Sequence, residues 1–157
     1  MKDILLRIVG NQGIGAEDDG DKIEFVTEGR FSQEEDMIRL SYEETELSGM
    51  EGCTTHMEIS GSKVRMSRSG APVPVDTIME FEKGKRYNGL YETPYGAVDM
   101  EILTNDVWNG LVVKPAVGET GSQDVTLVGT LCIDYHISLK GLGEVHNRLD
   151  VEILPQA

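Results

Sequence analysis

The sequence lacks most of the features that mark membrane and secreted proteins. No apolar run approaches the ~20 residues that a membrane-spanning helix needs, and the amino-terminal residues become polar again too soon for a signal peptide. Two cysteines, Cys53 and Cys132, do not resemble a secreted disulfide framework, so we expect reduced, partly buried thiols. These absences predict a cytoplasmic protein with no membrane role.

Basic residues are also scarce. The chain carries 14 Lys and Arg against 28 Asp and Glu, a formal charge of −14. Such a charge repels phosphate backbones and anionic bilayers at long range, so nucleic acid is not an expected partner. The acidity is explained by solubility, and attraction of a basic protein or a cationic ligand is the alternative.

Patterns typical of metal sites are missing as well. His56, His136 and His146 fall on the strand parity opposite the apolar residues, and no HxH, HxxxH or CxxC spacing occurs. The acidic stretch 17–21 lacks the spacing and the distal Glu of an EF-hand loop. We therefore predict neither a metal nor a cofactor.

Alternating apolar and polar residues dominate the chain, and helical spacing is nearly absent. This period of two is typical of antiparallel strands that bury one face. At 157 residues the chain predicts one domain covering residues 1–157. Strands are predicted near residues 2–10, 22–31, 36–46, 53–61, 63–69, 77–82, 86–92, 95–104, 106–113, 124–139 and 143–154.

Short polar connectors separate most of these segments. Residues 60–62, 83–85, 104–106 and 140–142 have the length and composition of hairpin turns. A meander of about 8–11 hairpin-linked strands favours a closed antiparallel β-barrel, because closure removes exposed strand edges. The proline-containing segment 70–76 and the loop 115–123 interrupt the pattern.

Several stretches together resemble the YwiB-like family, an uncharacterised bacterial group of calycin-type β-barrels. The resemblance rests on residues 26–29 (Val-Thr-Glu-Gly), 42–52 (Tyr-Glu-Glu-Thr-Glu-Leu-Ser-Gly-Met-Glu-Gly), 91–96 (Tyr-Glu-Thr-Pro-Tyr-Gly) and His146-Asn147. The chain departs from the family around residues 70–76 and 115–123. The resemblance implies a closed barrel of the broad kind found in lipocalins and fatty-acid-binding proteins, and it implies no activity.

One end of such a barrel collects the polar candidates for a ligand site. Counting parity through each hairpin places Ile38, Leu40 and Glu44 inward on the third strand, and Leu90 inward on the seventh. Arg68 could then offer its planar guanidinium to an anionic group, with tyrosines adding hydroxyls and ring surface. The predicted ligand-binding residues are Tyr42, Glu44, Thr55, Arg68, Tyr91, Glu92 and Tyr95.

A purely structural interpretation of this cluster stays open. Glu44 or Glu92 could already occupy Arg68, so that the group plugs the barrel end. The functional hypotheses are a small-molecule binding module with its site at this mouth, or a filled barrel that acts through its acidic surface. No nucleophile or metal accompanies the carboxylates, so we expect binding rather than catalysis. We expect Trp108 to pack in the core or at the rim, with a stacking platform for a ligand as the alternative.

Overall fold

Every regular element that the structure describes is a β-strand. The structure is a computed structural model, and it describes residues 2–12, 21–44, 52–70, 77–93, 96–115, 125–140 and 143–155. No described helix is long and apolar enough to cross a bilayer. The strands are β1 (Lys2–Gln12), β2 (Asp21–Glu34), β3 (Met37–Glu43), β4 (Cys53–Ser60), β5 (Lys63–Gly70), β6 (Thr77–Glu82), β7 (Arg86–Thr93), β8 (Gly96–Asn109), β9 (Val112–Pro115), β10 (Val125–Leu139) and β11 (Gly143–Leu154).

The strands form one antiparallel sheet that curls into a nearly closed barrel. Hydrogen-bonded neighbours follow the order β6-β5-β4-β3-β2-β1-β11-β10-β8-β7, and β9 pairs with β10. The first and last strands are joined from Leu5↔Leu154 to Gln12↔Asn147, so the two ends of the sequence meet in the middle of the sheet. The predicted all-β antiparallel barrel is confirmed.

The barrel has a seam where the sequence predicts a hairpin. Residues 83–85 do turn the chain, because the Lys85 N–H donates to the Glu82 carbonyl at 2.9 Å. Yet β6 and β7 form no ladder within the described residues, and they are the two outer strands of the hydrogen-bonded order. The turn is bonded to β8 instead, through Gly84 N to Thr104 O at 2.9 Å. The prediction that this connector pairs its neighbours is therefore wrong.

A second correction concerns residues 104–106, which were expected to form a turn between two strands. β8 runs without reversal through this segment, and Asn105 is the extra residue of a bulge between the pairs Thr104↔Tyr135 and Asp106↔Asp134. The Asn105 side chain donates a hydrogen bond to Asp134 Oδ1 at 2.8 Å. A bulge shifts strand parity by one residue, so Thr104 and Val107 are both buried.

The alternating apolar side chains fill the part of the lumen that lies towards the β2–β3 and β4–β5 turns, which is called the lower part here. The largest fully buried side chains include Phe31, Phe81, Leu40, Met57 and Met66, each 2% exposed or less. They belong to one continuous core cluster that receives residues from strands all around the barrel. This packing places the core inside the barrel and leaves mainly polar side chains at the β3–β5 end.

A close backbone approach bends the sheet where β10 changes partners. The residues of β10 that follow Gly129 pair with β8, and the residues that precede it pair with β9. Gly129 has φ 106°, and a Cβ built on it would lie 2.0 Å from the carbonyl oxygen of Gly110. Only glycine fits this crossing without displacing backbone.

Substitution of Gly129 by alanine tests this crossing. Gly129→Ala should lower the free energy of unfolding by at least about 2 kcal/mol, because it adds a backbone clash to a strained φ. Gly10→Ala is the matched control, since nothing lies within 4 Å of a Cβ built there. Urea unfolding should show the control unchanged or slightly stabilised, and equal losses in both variants would contradict the assigned crossing.

Candidate functional site

Three neighbouring strands bring the central candidates together. Tyr42 on β3 lies opposite Thr55 on β4, and Thr55 lies opposite Arg68 on β5, so the three form one inward-facing row. Glu44 follows Tyr42 on the same parity, just beyond the end of β3. Its backbone N–H donates to the Cys53 carbonyl at 2.9 Å, which fixes its position against β4.

A short chain of polar contacts links Glu44, Thr55 and Arg68. The Thr55 hydroxyl donates to Glu44 Oε1 at 2.6 Å, and Arg68 Nε donates to Thr55 Oγ1 at 3.3 Å. Arg68 Nε also lies 3.6 Å from Glu44 Oε1, with the two side chains 19% and 2% exposed. Burial of both charges is tolerated because each is paired and the carboxylate is hydrogen-bonded.

Arg68 keeps part of its hydrogen-bonding capacity unused. Both contacts above involve Nε, and neither Nη group donates a hydrogen bond to another residue in the described part of the chain. A guanidinium carries five N–H donors in a planar fork. The arginine can therefore hold Glu44 and still present its fork to another acceptor.

Tyr42 supports this cluster from the β3 side. Its side chain belongs to the buried core and the residue is 3% exposed. Burial, followed by the nearby Glu44 carboxylate, raises the pKa of Tyr42 well above its ordinary value, and the Arg68 charge opposes the shift. The phenol is therefore a neutral hydrogen-bonding group at physiological pH.

Strands β8, β10 and β11 contribute inward-facing polar residues that the sequence analysis did not select. On β10, Tyr135 lies between Thr104 of β8 and Asn147 of β11. Burial raises the pKa of Tyr135, while the Asn147 hydrogen bond and the Arg68 charge lower it. The charge of Arg68 on β5 thus acts on a side chain of β10.

Two buried polar atoms on these strands have no partner among the described residues. Thr104 Oγ1 and Asn147 Oδ1 make no hydrogen bond to any residue that the structure describes, although the two residues are only 1% and 9% exposed. Buried polar atoms are normally satisfied, so such atoms call for a water or a ligand group. Parity offered a signal for Asn147, which shares the inward set with Leu149 and Val151.

The seventh strand corrects the predicted parity. Leu90 was expected to point inward and is 54% exposed, whereas Tyr87 and Tyr91 pack against the core. Tyr91 is close enough for its charge to raise the pKa of Tyr135. Glu92 shares the parity of Leu90 and pairs with Ala97 through its backbone; its side chain lies outside the described part of the structure, as does Tyr95 altogether.

Trp108 and the histidines lie on the outer wall. Trp108 is 59% exposed and its ring lies against Gly110, so the expectation of a core position is wrong. His136 and His146 stack with ring centroids 4.4 Å apart, and His146 Nε2 lies 2.6 Å from Asp134 Oδ1.

No group of three or more His, Cys, Asp or Glu among the described residues is arranged to hold a metal ion. The candidate calcium stretch 17–21 falls almost entirely outside the described residues.

Comparison with known proteins decides the family. The family model described as "Domain of unknown function (DUF1934)" matches residues 7–150. The chain belongs to the DUF1934 family. The crystal structure of the ywiB protein from Bacillus subtilis superposes on this DUF1934 barrel with a TM-score of 0.61 and 16% identity, covering 98% of this chain and 94% of that one. The resemblance to the YwiB-like group is thus confirmed at the level of fold, and a search of curated proteins gives no match.

The buried pair of this DUF1934 barrel can be tested by stability measurements. Arg68→Ala should lower the free energy of unfolding by about 2–4 kcal/mol, because it strands the buried Glu44 carboxylate. The double variant Glu44→Met with Arg68→Met should recover more than half of that loss, since no charge remains buried. A double variant as unstable as Arg68→Ala would show that the two side chains are not coupled.

Alkaline unfolding tests the environment of Tyr42. Because the pKa of Tyr42 is raised on folding, its contribution to stability is complete below the unfolded value of about 10 and declines as the pH rises above it. Urea unfolding between about pH 8 and pH 11 should therefore show a falling free energy of unfolding that Tyr42→Phe makes shallower. An identical pH slope in the variant would refute this environment.

Proposed function

We propose that the barrel binds a small amphipathic or polar molecule at its β3–β5 mouth, with the polar end of the ligand held by Arg68. The observation that carries this proposal is a set of polar groups on inward-facing strand positions that keep unused hydrogen-bonding capacity among the described residues. Arg68 offers donors, while Asn147 Oδ1 and Thr104 Oγ1 offer acceptors. A ligand that combines an acceptor such as a carboxylate, phosphate or carbonyl with a hydroxyl or amino donor would complement this set.

The surroundings limit the size and charge of such a ligand. The lumen next to the polar cluster is filled by Phe31, Met57, Met66 and Phe81. The ring centroids of Phe81 and Tyr135 lie 4.8 Å apart. Only a short apolar portion can therefore accompany the polar end. Glu44 neutralises Arg68, so a single negative charge would be better accommodated than a dianion.

The calycin-type barrel suggested by the sequence resemblance gives this proposal a general precedent. Barrels of about this strand number have an interior that either is filled by side chains or holds one small ligand. In the DUF1934 barrel, apolar side chains fill the lower part of the lumen, and the polar cluster of Glu44, Thr55 and Arg68 lies at the β3–β5 mouth. This arrangement favours a site at the mouth over a deep lipocalin-like cavity.

A second candidate function rests on the packed core. Each strand from β2 to β6 contributes one large side chain that is 2% exposed or less, and these five side chains fill the lumen. They are Phe31, Leu40, Met57, Met66 and Phe81. If the polar cluster is satisfied by water alone, the barrel is a rigid body that acts through its outer surface. The formal charge of −14 then directs it towards a basic partner.

Native mass spectrometry distinguishes the two functions. Protein purified without denaturation should carry a retained small molecule that is absent from Arg68→Ala, because the guanidinium holds its polar end. Arg65→Ala is the matched control, since Arg65 lies on the same strand but is exposed on the outer face.

The outcomes separate cleanly when folding is checked by circular dichroism. Retention in wild type and Arg65→Ala, with loss in a folded Arg68→Ala, supports the interior site. Repeated preparations of wild type with no retained molecule would favour the filled barrel and its acidic surface.

A further inference from the structure

A polar cluster on the outer wall surrounds the bulge of β8. His136 lies opposite His146 in the β10–β11 ladder, and their imidazole rings stack with centroids 4.4 Å apart. Asn105, the bulged residue, donates from Nδ2 to Asp134 Oδ1 at 2.8 Å, and the same Nδ2 lies 3.0 Å from His136 Nδ1. His146 Nε2 lies 2.6 Å from the same carboxylate oxygen. Side chains therefore tie β8, β10 and β11 together at the bulge.

This geometry fixes the proton on one of the histidines. An ionised carboxylate only accepts hydrogen bonds, so the Asn105 atom that faces Asp134 is the amide nitrogen. That nitrogen also faces His136, and Nδ1 of His136 must therefore accept and carry no proton. Burial raises the pKa of Asp134, but hydrogen bonds from Asn105 and His146 outweigh burial and hold the pKa below its ordinary value. Asp134 thus stays an acceptor wherever histidine titrates.

A proton on His136 is incompatible with this bridge. An imidazolium donates from both ring nitrogens, so its Nδ1–H would face the amino group of Asn105. Turning the Asn105 amide over would serve His136 but would place Oδ1 against the Asp134 carboxylate. A positive charge on the stacked ring of His146 would add repulsion. Asn105 can therefore bridge its two partners only while His136 is neutral.

The other charged groups around His136 have contacts of their own. The neighbouring strands carry four of them within two register positions of His136, and none of the four bonds to its ring among the described residues. They are Glu101, paired with Arg86; Asp106, paired with Lys83; Arg148, paired with Asp150; and Glu144, which accepts a hydrogen bond from Ser138. The response of the bulge to acid therefore depends mainly on the cluster itself.

The bulge adjoins the backbone bonds that hold the turn at residues 83–85. Thr104 immediately precedes Asn105, its N–H donates to the Lys85 carbonyl at 3.2 Å, and its carbonyl accepts from the Gly84 N–H at 2.9 Å. The strands on either side of this turn, β6 and β7, form no ladder with each other within the described residues. The bonds to Thr104 are thus part of what holds the turn against the barrel wall.

We propose that the Asn105 bulge is a pH-sensitive switch, in which a proton on His136 releases the Asn105 bridge and loosens β8 from the turn at residues 83–85. Histidine takes up its proton as the pH falls from about 8 to about 5, so the bridge is complete at the upper end of this range and lost at the lower end. Such a local opening leaves the rest of the barrel folded. The switch does not depend on a ligand at Arg68.

Nitrogen NMR of the histidine rings tests the starting state. At about pH 8, His136 should show a proton on Nε2 and none on Nδ1. Acidification should add the Nδ1 proton and shift the side-chain amide signals of Asn105 over the same pH range. A proton on Nδ1 at about pH 8, or Asn105 signals that do not follow the titration of His136, would overturn the proposal.

Hydrogen exchange tests the loosening of the turn. After correction for the intrinsic pH dependence of exchange, the amides of Gly84 and Thr104 should lose protection about three- to tenfold between pH 8 and pH 5, the effect of one lost side-chain hydrogen bond. Amides of residues 54–59 in β4 should not change. Equal losses in β4 would show general destabilisation by acid and would refute a local switch.

Substitution of the histidine separates its titration from other effects of acid. His136→Asn places an amide oxygen near the position of Nδ1, so the bridge to Asn105 persists and the protection of Gly84 and Thr104 should no longer depend on pH. His56→Asn is the matched control, because His56 is exposed on β4, and it should keep the response of the wild type. A full response in His136→Asn, or its loss in His56→Asn, would contradict the assignment of the switch to His136.

Discussion

Alternation of side chains across a single continuous sheet is the constraint from which the other features of this protein follow. Because strand residues face the lumen and the solvent in turn, the apolar members of each strand are drawn into one core, and any polar residue on the same parity must be buried with them. Glu44, Thr55 and Arg68 occupy such positions. Their hydrogen-bonded chain reconciles burial of two charges with an otherwise apolar interior.

The interior is therefore divided into a packed part and a polar part. Phe31, Phe81 and their neighbours close the lumen where the strands carry large apolar residues. Where the strands carry Arg68, Thr104 and Asn147, donors and acceptors keep unused capacity among the described residues. The outer wall carries ion pairs between neighbouring strands, such as Arg7 with Glu24.

Prediction from sequence succeeded where neighbouring strands are joined by short turns. The pairing of Thr55 with Arg68 follows from counting residues through the two-residue connection between β4 and β5, because register there is fixed by turn length. Tyr42 joins the row because it has the inward parity of β3. The same method failed at Leu90, since its strand β7 forms no ladder with β6 within the described residues, and parity cannot be counted across that seam. It failed again at Asn105, because a polar bulge and a polar turn have the same composition.

The sequence by itself determined the all-β class, the inward parity of most strands and the family resemblance, since period-two patterning and short turns are local properties of the chain. Only the tertiary structure decided that Thr104 and Asn147 lie on either side of Tyr135, and that β6 and β7 form no ladder with each other within the described residues. These features depend on how strands distant in sequence meet when the sheet curls. That meeting is set by closure and packing of the whole barrel, which no local pattern encodes.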